Sequence, residues 1–471
     1  MQTVLNLFNK VGATSSKNEK EAILKRELPL NLLAQRVAQY ALDQGKAYNL
    51  TELPSIVTTP GKIGVLEDTQ AIFDYLDHLS SKRGCSDEEA RKLAGLCTTP
   101  AAHELVTRII RKDLNIGAKA NTFNKAIPDL IYTVPYNRYS SFAKVKPDEL
   151  EGQNLIVQQK NDGFFAYMSD PELQDRDPFC TRQGNTFSLR GVIERDFHWL
   201  RPIQDYHKEY IRTEGELLVW DPSTKKYLPR AIGNGLLAEF YNGGDMPPGF
   251  EKNIRYIIWG YVTASEWVAR KSDRVYRKIW SNLKVAASRV STGRSSKITL
   301  TNSMSVPNYA AAMDFYRKMR AQGLEGAMLK LPDELKWKHN TSGNPDGFKM
   351  KAEAEAEFEI VDAYPGDPKK KWKDALGGLV VQSSCGQILT NIGGGFTDEE
   401  RMLGVDWWKG KKGKIISGKF TDIVKDKTGR TTYCLEHSRM PNMGGAMTET
   451  RFSEKDEADD LAYCREQLKV A

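Results

Sequence analysis

The sequence predicts a multidomain protein in which an all-α N-terminal domain precedes an α+β core and a C-terminal β-barrel. A chain of 471 residues exceeds the roughly 250–300 residues at which a single hydrophobic core stops growing, so several domains are expected. Three patterns of apolar residues follow one another along the chain. They divide it into residues 1–131, 132–351 and 352–471.

The first pattern is helical. Residues 1–131 place apolar side chains at three- and four-residue intervals, as in LNLLAQRVAQYALDQG and TQAIFDYLDHLSSK, between glycine and proline breaks. This spacing gathers the apolar side chains on one face of a helix. The first domain is therefore predicted to consist of helices.

The second and third patterns are rich in strand candidates. From residue 132, the short runs LIVQQK, EGELLVW, YIIWGYV and GAMLK alternate with helical stretches such as NYAAAMDFYRKMRAQG, which predicts an α+β domain. Beyond Lys351, glycine-rich turns separate EFEIVDAYPG, GGLVVQSSCGQILTNIGGG and KGKIISGKFTDIVKD. That pattern predicts a small β-barrel of about 120 residues.

Composition excludes several classes of protein. The fractions of hydrophobic (40%) and charged (27%) residues are typical of folded soluble protein. No apolar run approaches the ~18–20 residues of a membrane span, and the N-terminus lacks a signal-peptide core, so a cytoplasmic location is expected. The six cysteines include no CxxC pair, which disfavours a zinc site or a disulfide framework. A net charge of +7 permits binding to a polyanion without requiring it.

The clearest chemical signal is the segment QQKNDGFF, in which a strand-like run delivers Lys160 into a polar turn with Asp162 and Gly163. A lysine nucleophile must lose its proton, and its reference pKa is ~10.4, so a working site needs nearby cations, a metal or partial burial to lower that pKa. Taken alone, a KxDG segment is weak, because a lysine at a strand end is usually just solvated.

Five further segments strengthen this signal. They are TRQGN with Arg182, EGEL with Glu216, IIWG with Trp259, GLEGAMLK with Glu325 and Lys330, and GFKMK with Lys349 and Lys351. Each could be an ordinary turn, core residue or half-exposed strand, but their shared order and intervals are hard to attribute to chance. With them, the sequence resembles the ATP-grasp-like nucleotidyltransferases that form a lysine–nucleotide intermediate, and within them the ATP-dependent DNA ligases of bacteriophages. The resemblance covers nearly the whole chain.

The resemblance implies the reaction and the role of each domain. Lys160 would attack the α-phosphate of ATP, the bound AMP would pass to the 5′-phosphate of a nick, and the 3′-hydroxyl would displace it, as needed in replication, repair or recombination. The helical domain would bind DNA, the α+β core would be the nucleotidyltransferase domain, and the barrel would be an oligonucleotide-binding (OB) fold. The implied cofactors are ATP and Mg²⁺, and the implied partner is nicked double-stranded DNA, around which a monomer closes.

The predicted site residues fall into three groups. The predicted metal ligands are carboxylates, because Mg²⁺ prefers oxygen ligands. Glu216 and Glu325 each end a strand-like run, and Asp162 lies beside the nucleophile. The predicted catalytic residues are Lys160, Asp162, Lys349 and Lys351, the last two sharing a strand face because of their two-residue spacing. The residues predicted to bind ATP are Gln158, Lys160, Arg182, Glu216, Trp259, Lys330, Lys349 and Lys351.

The sequence departs from the family pattern in three places. Phe165 stands where the KxDGxR motif carries an arginine, and Gly260 follows Trp259 where an aspartate is common. The third departure is in the C-terminal RxDK-like motif, which orients the pyrophosphate of ATP and has no clear match here. The best candidate is TRFSEKDEADD, with Arg451 and Lys455 as candidate contacts.

Basic clusters in the first and third domains are predicted to hold the duplex. A run of lysines is more often only a solvated surface, but tryptophans interleave those of the barrel. The predicted DNA-binding residues are Arg111, Lys112, Lys119, Lys125, Lys369, Lys370, Lys371, Lys411 and Lys412.

Alternatives remain open at this stage. An RNA ligase or a capping-type nucleotidyltransferase would share the KxDG lysine, but the helical domain with RKDLNIGA favours a DNA ligase. A non-catalytic DNA-binding relative is suggested by the arginine missing at Phe165. An NAD-dependent ligase is disfavoured, because such enzymes carry a four-cysteine zinc module that this sequence lacks.

Overall fold

The computed structural model describes residues 1–14, 16–55, 68–82, 84–172, 177–289, 296–340, 342–368, 372–426, 432–441, 451–453 and 455–470. The chain forms two compact units. One comprises Met1–Val134 and Gln183–Asn185, and the other comprises Pro135–Arg182, Thr186–Pro368 and Trp372–Ala471. None of the helices in these ranges combines the length and apolarity that a bilayer crossing requires.

The first unit is helical, as predicted. Its helices are α1 (Gln2–Ala13), α2 (Lys17–Glu27), α3 (Leu32–Leu42), α4 (Thr69–Ser80), α5 (Asp87–Leu96), α6 (Pro100–Ile110) and α7 (Ala120–Ala126). Several begin at a polar side chain that accepts a backbone N–H of the first turn; these caps are Ser16, Asn31, Asp68, Ser86 and Thr99. Their apolar faces meet in one core that buries Phe8, Leu76 and Leu105 completely.

The second unit begins with two β-sheets. Its strands up to Lys351 are β1 (Tyr139–Ser141), β2 (Leu155–Lys160), β3 (Phe164–Ser169), β4 (Phe179–Cys180), β5 (Thr186–Phe187), β6 (Ile211–Asp221), β7 (Lys226–Tyr227), β8 (Ile254–Thr263), β9 (Lys271–Val275), β10 (Ile298–Leu300), β11 (Ser303–Val306), β12 (Gly326–Lys330), β13 (Lys336–Lys338) and β14 (Asn344–Lys351). The helices among them are α8 (Arg201–His207), α9 (Arg230–Asn242), α10 (Ala264–Ala269), α11 (Tyr276–Ser288) and α12 (Tyr309–Ala321).

Strand order and alternation determine which side chains can meet. One sheet has the order β1-β14-β12-β2-β11, and the other has the order β10-β8-β6-β3-β4-β5 with β7 beside β6. Along β2, Leu155 and Val157 pack in a core with α12, whereas Ile156 joins the core of the second sheet. Because side chains alternate along a strand, Gln158 and Lys160 share the face of Ile156, toward the second sheet.

The remainder of the second unit is rich in β-strands. Its elements are β15 (Ala354–Pro365), β16 (Leu376–Gln382), β17 (Leu389–Ile392), α13 (Asp398–Met402), α14 (Val405–Lys409), β18 (Ile415–Phe420), β19 (Asp422–Lys425), β20 (Tyr433–Glu436) and α15 (Leu461–Val470). The strands β17-β16-β15-β18 form one sheet, and β19 pairs only with β20 as a separate ladder among the described strands. A core of its own buries Phe358, Leu379 and Trp408 completely.

The closed barrel predicted for this region is not confirmed. Closure needs a continuous ladder between the first and last strands of a sheet. Apart from the β19–β20 ladder, the described pairing of β18 with the chain beyond it consists of isolated bridges such as Lys419–Arg439 and Ile416–Phe452. The confirmed fold is therefore a mixed α/β multidomain architecture with a helical N-terminal part and a β-rich C-terminal part.

Candidate active site

Strand register brings together residues that lie far apart in sequence. In the antiparallel strands β2, β12 and β14, Gly326 pairs with Lys160 on one side and with Lys351 on the other. Glu325 immediately precedes Gly326. The end of the KxDG strand, the start of the EGAMLK strand and the end of the FKMK strand therefore meet at one edge of the sheet.

Glu325 holds two ammonium groups at this edge. Its Oε2 lies 2.5 Å from Lys160 Nζ, and its Oε1 lies 2.5 Å from Lys351 Nζ. Burial would raise the pKa of Glu325, but the charges of Lys160 and Lys351 outweigh burial and leave that pKa below its ordinary value. One ionised carboxylate therefore positions the predicted nucleophile and a second cation.

Two glycines allow this close approach. Gly326 has a φ of +149°, and a Cβ there would collide with the Met350 carbonyl oxygen on β14. A Cβ at Gly163 would lie 2.5 Å from the Leu217 carbonyl oxygen. Any larger residue would push the neighbouring strands apart, so both motifs require glycine for a physical reason.

The second sheet contributes a buried carboxylate. The Gly163 backbone N–H donates to Glu216 Oε2 at 3.2 Å, which fixes Glu216 beside the turn that follows Lys160. Burial raises the pKa of Glu216 to about 7, and the positive charge of Lys160 opposes that rise. Asp162 lies in the same turn, 3.6 Å from Arg230 Nη1, and burial followed by the charge of Glu325 raises its pKa.

These carboxylates fit a metal that arrives with its substrate better than a resident metal. Among the described residues, no group of three or more His, Cys, Asp or Glu side chains converges well enough to hold an ion. The predicted set of Glu216, Glu325 and Asp162 thus does not form a ready-made cage. Mg²⁺ is commonly held by one or two carboxylates together with phosphate oxygens and water, and Glu216 suits that arrangement.

Lys349 adds a cation to the same face. It lies two residues before Lys351 and pairs with Met328 on β12, so the two-residue spacing directs both lysines to one side of the sheet. Burial lowers the pKa of Lys349, and the nearby charges of Arg138, Lys160, Lys351 and Arg182 lower it further. A cluster of cations of this kind favours an anionic phosphate.

Arg182 and Trp259 lie near the residue that replaces the family arginine. The Arg182 Cζ lies 4.1 Å from the centre of the Phe165 ring, and the Trp259 and Phe165 ring centres are 6.0 Å apart. Trp259 occupies a β-bulge, because Glu214 pairs with Gly260 while Gly215 pairs with Ile258. A bulge redirects a side chain and bends its strand, which spacing in the sequence does not reveal.

Gln158 and Lys330 lie in the interior. Tyr276 Oη donates to Gln158 Oε1 at 3.0 Å, and Lys330 Nζ lies 3.8 Å from the Tyr276 ring centre. Lys330 is 1% exposed, and burial lowers its pKa to about 7. The charge of the buried Glu214 opposes this lowering of the pKa. The predicted contact of Lys330 with ATP stays a prediction.

The Lys330 pKa predicts a pH dependence of stability. The unfolded side chain has a pKa of ~10.4 and the folded one about 7, so the unfolded chain binds the extra proton between these values. The free energy of unfolding should therefore rise with pH in this window by up to about 1.4 kcal/mol per unit relative to Lys330→Met. Urea unfolding of both proteins at pH 8, 9 and 10 measures the difference, and parallel pH curves would contradict the prediction.

The presence of Gly260 where the family commonly has an aspartate has a steric explanation. A Cβ at Gly260 would lie 2.9 Å from Glu214 Oε2. Glu214 is buried, and Trp337 Nε1 donates to its Oε1 at 2.8 Å. An aspartate at position 260 would bring a second carboxylate against a buried one, which is unfavourable. The side chain of Glu214 thus takes the space beside Gly260.

Arg451 and Lys455, the candidates for orienting the pyrophosphate, both contact other groups of the protein. Arg451, whose side chain is 3% exposed, donates to Glu400 with Nε–Oε1 at 2.6 Å and also contacts the carbonyl oxygens of Pro441 and Gly395. Lys455 pairs with Glu357 at 2.9 Å. Arg451 is therefore held in this core by four hydrogen bonds, and its predicted contact with the pyrophosphate of ATP stays a prediction.

The predicted DNA-binding residues differ in their surroundings. Arg111, Lys119 and Lys125 are exposed. They pair with Glu52 at 3.5 Å, Asp113 at 3.1 Å and Glu21 at 2.8 Å, respectively. Lys112 instead donates to the Asp43 carbonyl oxygen at 2.6 Å, and burial lowers its pKa to about 8, which is contrary to the expected exposed cation. It closes the end of α3.

In the C-terminal part of the second unit, Lys412 is exposed, and Lys411 Nζ lies 4.5 Å from the Trp407 ring centre. Lys369, Lys370 and Lys371 lie outside the described residues.

Two arginines near the site were missed by sequence reasoning. Arg138 lowers the pKa of Lys349, and Arg230, the first residue of α9, pairs with Asp162. A cavity of about 660 Å³ beside Lys160 is lined by Arg230, Glu325 and Lys351, a size typical of small-molecule pockets. Neither arginine falls in a recognisable motif, so only the fold identifies them.

Other solved chains share this fold. Chains named Pmar-Lig_Pre and Pmar-Lig_PreS3 match with TM-scores of 0.69 and 0.68, each over 93% of this chain and 98% of their own length, at 15% identity. No protein-family model matches the chain.

Two curated relatives make the resemblance specific. The DNA ligases of Enterobacteria phages T4 and T6 are each 25% identical to the chain over 428 residues, which is 84% of this chain and 84% of each ligase. The resemblance to the ATP-dependent DNA ligases of bacteriophages is confirmed.

Proposed function

We propose that the chain is an ATP-dependent DNA ligase that seals 5′-phosphate/3′-hydroxyl nicks in duplex DNA through an AMP carried on Lys160. The observation that carries this proposal is the arrangement of Lys160, Glu325 and Lys351, with 2.5 Å between the carboxylate and each amine. The similarity to the phage ligases over most of both chains supports the same reaction.

In the first step, Lys160 Nζ forms a bond to the α-phosphorus of ATP, and pyrophosphate leaves. Phosphoryl transfer depends mainly on positioning and on neutralising phosphate charge. Lys349 and Lys351 supply cations on one face, and Glu325 aligns the nucleophile.

Glu216, and Glu325 once the lysines have turned to phosphate, would hold Mg²⁺. The ion would supply charge neutralisation at the triphosphate. Trp259 would offer an aromatic surface to the adenine, for which stacking contributes about 1–3 kcal/mol.

In the second and third steps, the AMP moves to the 5′-phosphate of the nick, and the 3′-hydroxyl displaces it to form the new phosphodiester. These steps require duplex on both sides of the nick. We infer that residues 1–131 bind DNA, that residues 132–351 adenylate, and that residues 352–471 act as an OB fold that closes around the duplex. A single copy of the chain would be sufficient for this arrangement.

The decisive experiment is mass spectrometry of the purified chain with ATP and Mg²⁺, followed by sealing of a labelled nick. We expect one added AMP, located at position 160, and joining of nicked DNA. Labelling by GTP in place of ATP, or joining of nicked RNA but not DNA, would favour the capping or RNA-ligase alternatives. Absence of any adduct would favour the non-catalytic alternative.

Salt dependence tests the predicted DNA contacts of the first unit. Release of counterions makes log affinity for nicked duplex fall linearly with log salt concentration, by ~0.9 per phosphate contact. Lys119→Ala and Lys125→Ala, at exposed positions, should each reduce the slope by that amount. Lys146→Ala, an exposed lysine that pairs with Glu149, serves as the control. A flat salt response of the unchanged chain would contradict a clamp built on phosphate contacts.

A further inference from the structure

We propose that Phe165 is a positioning residue, whose ring, together with that of Tyr136, holds the Arg182 guanidinium ready for a phosphate-ester anion of the ligation reaction. This inference rests on the proposed ligase function and assigns a task to the residue that replaces the family arginine. The anion is either the α-phosphate that becomes AMP or the 5′-phosphate of the nick.

The geometry is that of a cation held by aromatic rings. The Arg182 Cζ lies 4.1 Å from the centre of the Phe165 ring and 4.9 Å from that of Tyr136. Both distances are well within the ~6 Å over which a guanidinium is attracted by the face of a ring. Phe165 is itself fixed by edge-to-face contact with Tyr167, with 5.0 Å between ring centres. The described contacts of this guanidinium are thus with rings rather than with carboxylates.

Stacking of this kind leaves the donors free. A guanidinium has five N–H groups in its plane, and they match two oxygens of a phosphate at once. An ion pair with a carboxylate would occupy those donors, whereas a ring beneath the plane does not. The rings therefore fix the position of Arg182 while its edge stays available to an anion.

The location is appropriate for that anion. Phe165 pairs with Glu216 across strands β3 and β6, so Arg182 lies over the sheet that faces Lys160. Its charge also acts on both sides of the site, because it lowers the pKa of Glu216 and, after burial and nearer cations, that of Lys349. A phosphate held between Lys349 and Arg182 would lie between the two sheets.

The experiment compares five single variants and one double variant in two single-turnover assays. They are Phe165→Leu, Phe165→Tyr, Phe164→Leu, Arg182→Lys, Arg182→Ala, and Phe165→Leu combined with Arg182→Ala. The first assay follows AMP transfer from ATP to Lys160 without DNA, and the second follows sealing of a nick that is already adenylated. Phe165→Leu removes the ring, and Phe165→Tyr keeps it. Phe164→Leu is the matched control, because that ring packs on Phe187 and Tyr241 in the core. The fourth variant, Arg182→Lys, keeps the positive charge but lacks the planar guanidinium.

We expect Phe165→Leu and Arg182→Lys each to slow at least one assay by about tenfold. Phe165→Tyr should stay within about twofold of the unchanged chain, and Phe164→Leu should lower thermal stability without changing the rate per folded molecule. Loss in the first assay assigns the α-phosphate as the anion, and loss in the second assigns the nick phosphate. Because the two residues act as one unit, Phe165→Leu should add little to Arg182→Ala.

Three results would overturn the inference. They are rates of Phe165→Leu equal to those of the unchanged chain in both assays, equal losses in Phe165→Tyr and Phe165→Leu, and multiplied losses in the double variant. An unchanged chain that takes no AMP would instead overturn the proposed function and this inference with it.

Discussion

Lys160→Ala should leave the chain without covalently bound AMP and should lower nick sealing from ATP by at least about a thousandfold, the scale seen when a covalent nucleophile is removed. Lys160 is the amine that ends β2, and Glu325 holds it 2.5 Å from its Oε2. Lys351 shares that carboxylate, but it ends a different strand and cannot take the same position. Intact-mass measurement after incubation with ATP and Mg²⁺ gives the adduct directly.

The same variant separates the first step from the later ones. A nick that already carries AMP on its 5′-phosphate bypasses Lys160 as nucleophile, so Lys160→Ala should still seal it, more slowly because a cation is lost. Lys146→Ala removes an exposed lysine of the same unit that pairs with Glu149 and should match the unchanged chain in every assay. An AMP adduct on Lys160→Ala at the normal level would show that another side chain is the nucleophile.

Sequence spacing predicted the parts of this site that depend on local geometry. The two-residue interval between Lys349 and Lys351 fixes a shared face in any strand, and the order of motifs indicated which segments supply the carboxylates. The helical nature of residues 1–131 follows from apolar periodicity in the same way. These features need no knowledge of which strands are neighbours.

Features that depend on tertiary pairing could not be predicted. Lys330 lies on the same strand face as Gly326, the partner of Lys160. The rings of Tyr276 and Tyr139 lie against its amine, however, so Lys330 is buried. Trp259 is displaced by a bulge that only the pairing of β6 with β8 creates. An arginine in a charged segment is expected at the surface, yet Arg451 forms a buried ion pair with Glu400.

The missing family arginine illustrates the same limit. The sequence showed a loss at Phe165, whereas the fold shows a ring that lies against Arg182. A residue that departs from a motif can therefore keep a role by contacting another member of the site. Its partner is found by distance in space and not by position along the chain.

Glu325→Gln should slow AMP transfer to Lys160 by at least about a hundredfold, comparable to the loss of one preorganised electrostatic contact in other active sites. The carboxylate accepts from Lys160 with one oxygen and from Lys351 with the other. An amide has a single acceptor oxygen, so one ammonium must lose its partner while two positive charges remain side by side. The amide is also a poorer ligand for Mg²⁺, and we expect a higher Mg²⁺ concentration at half-maximal rate.

Two comparisons distinguish this role from general destabilisation. Glu325→Asp keeps the charge with a shorter side chain and should retain more activity than Glu325→Gln. Glu334→Gln changes an exposed glutamate of the same unit and should leave the rate and the Mg²⁺ dependence unchanged. If Glu325→Gln transferred AMP at the normal rate and Mg²⁺ optimum, the shared carboxylate would only hold the empty site together, and alignment of Lys160 would have to come from the phosphates of ATP.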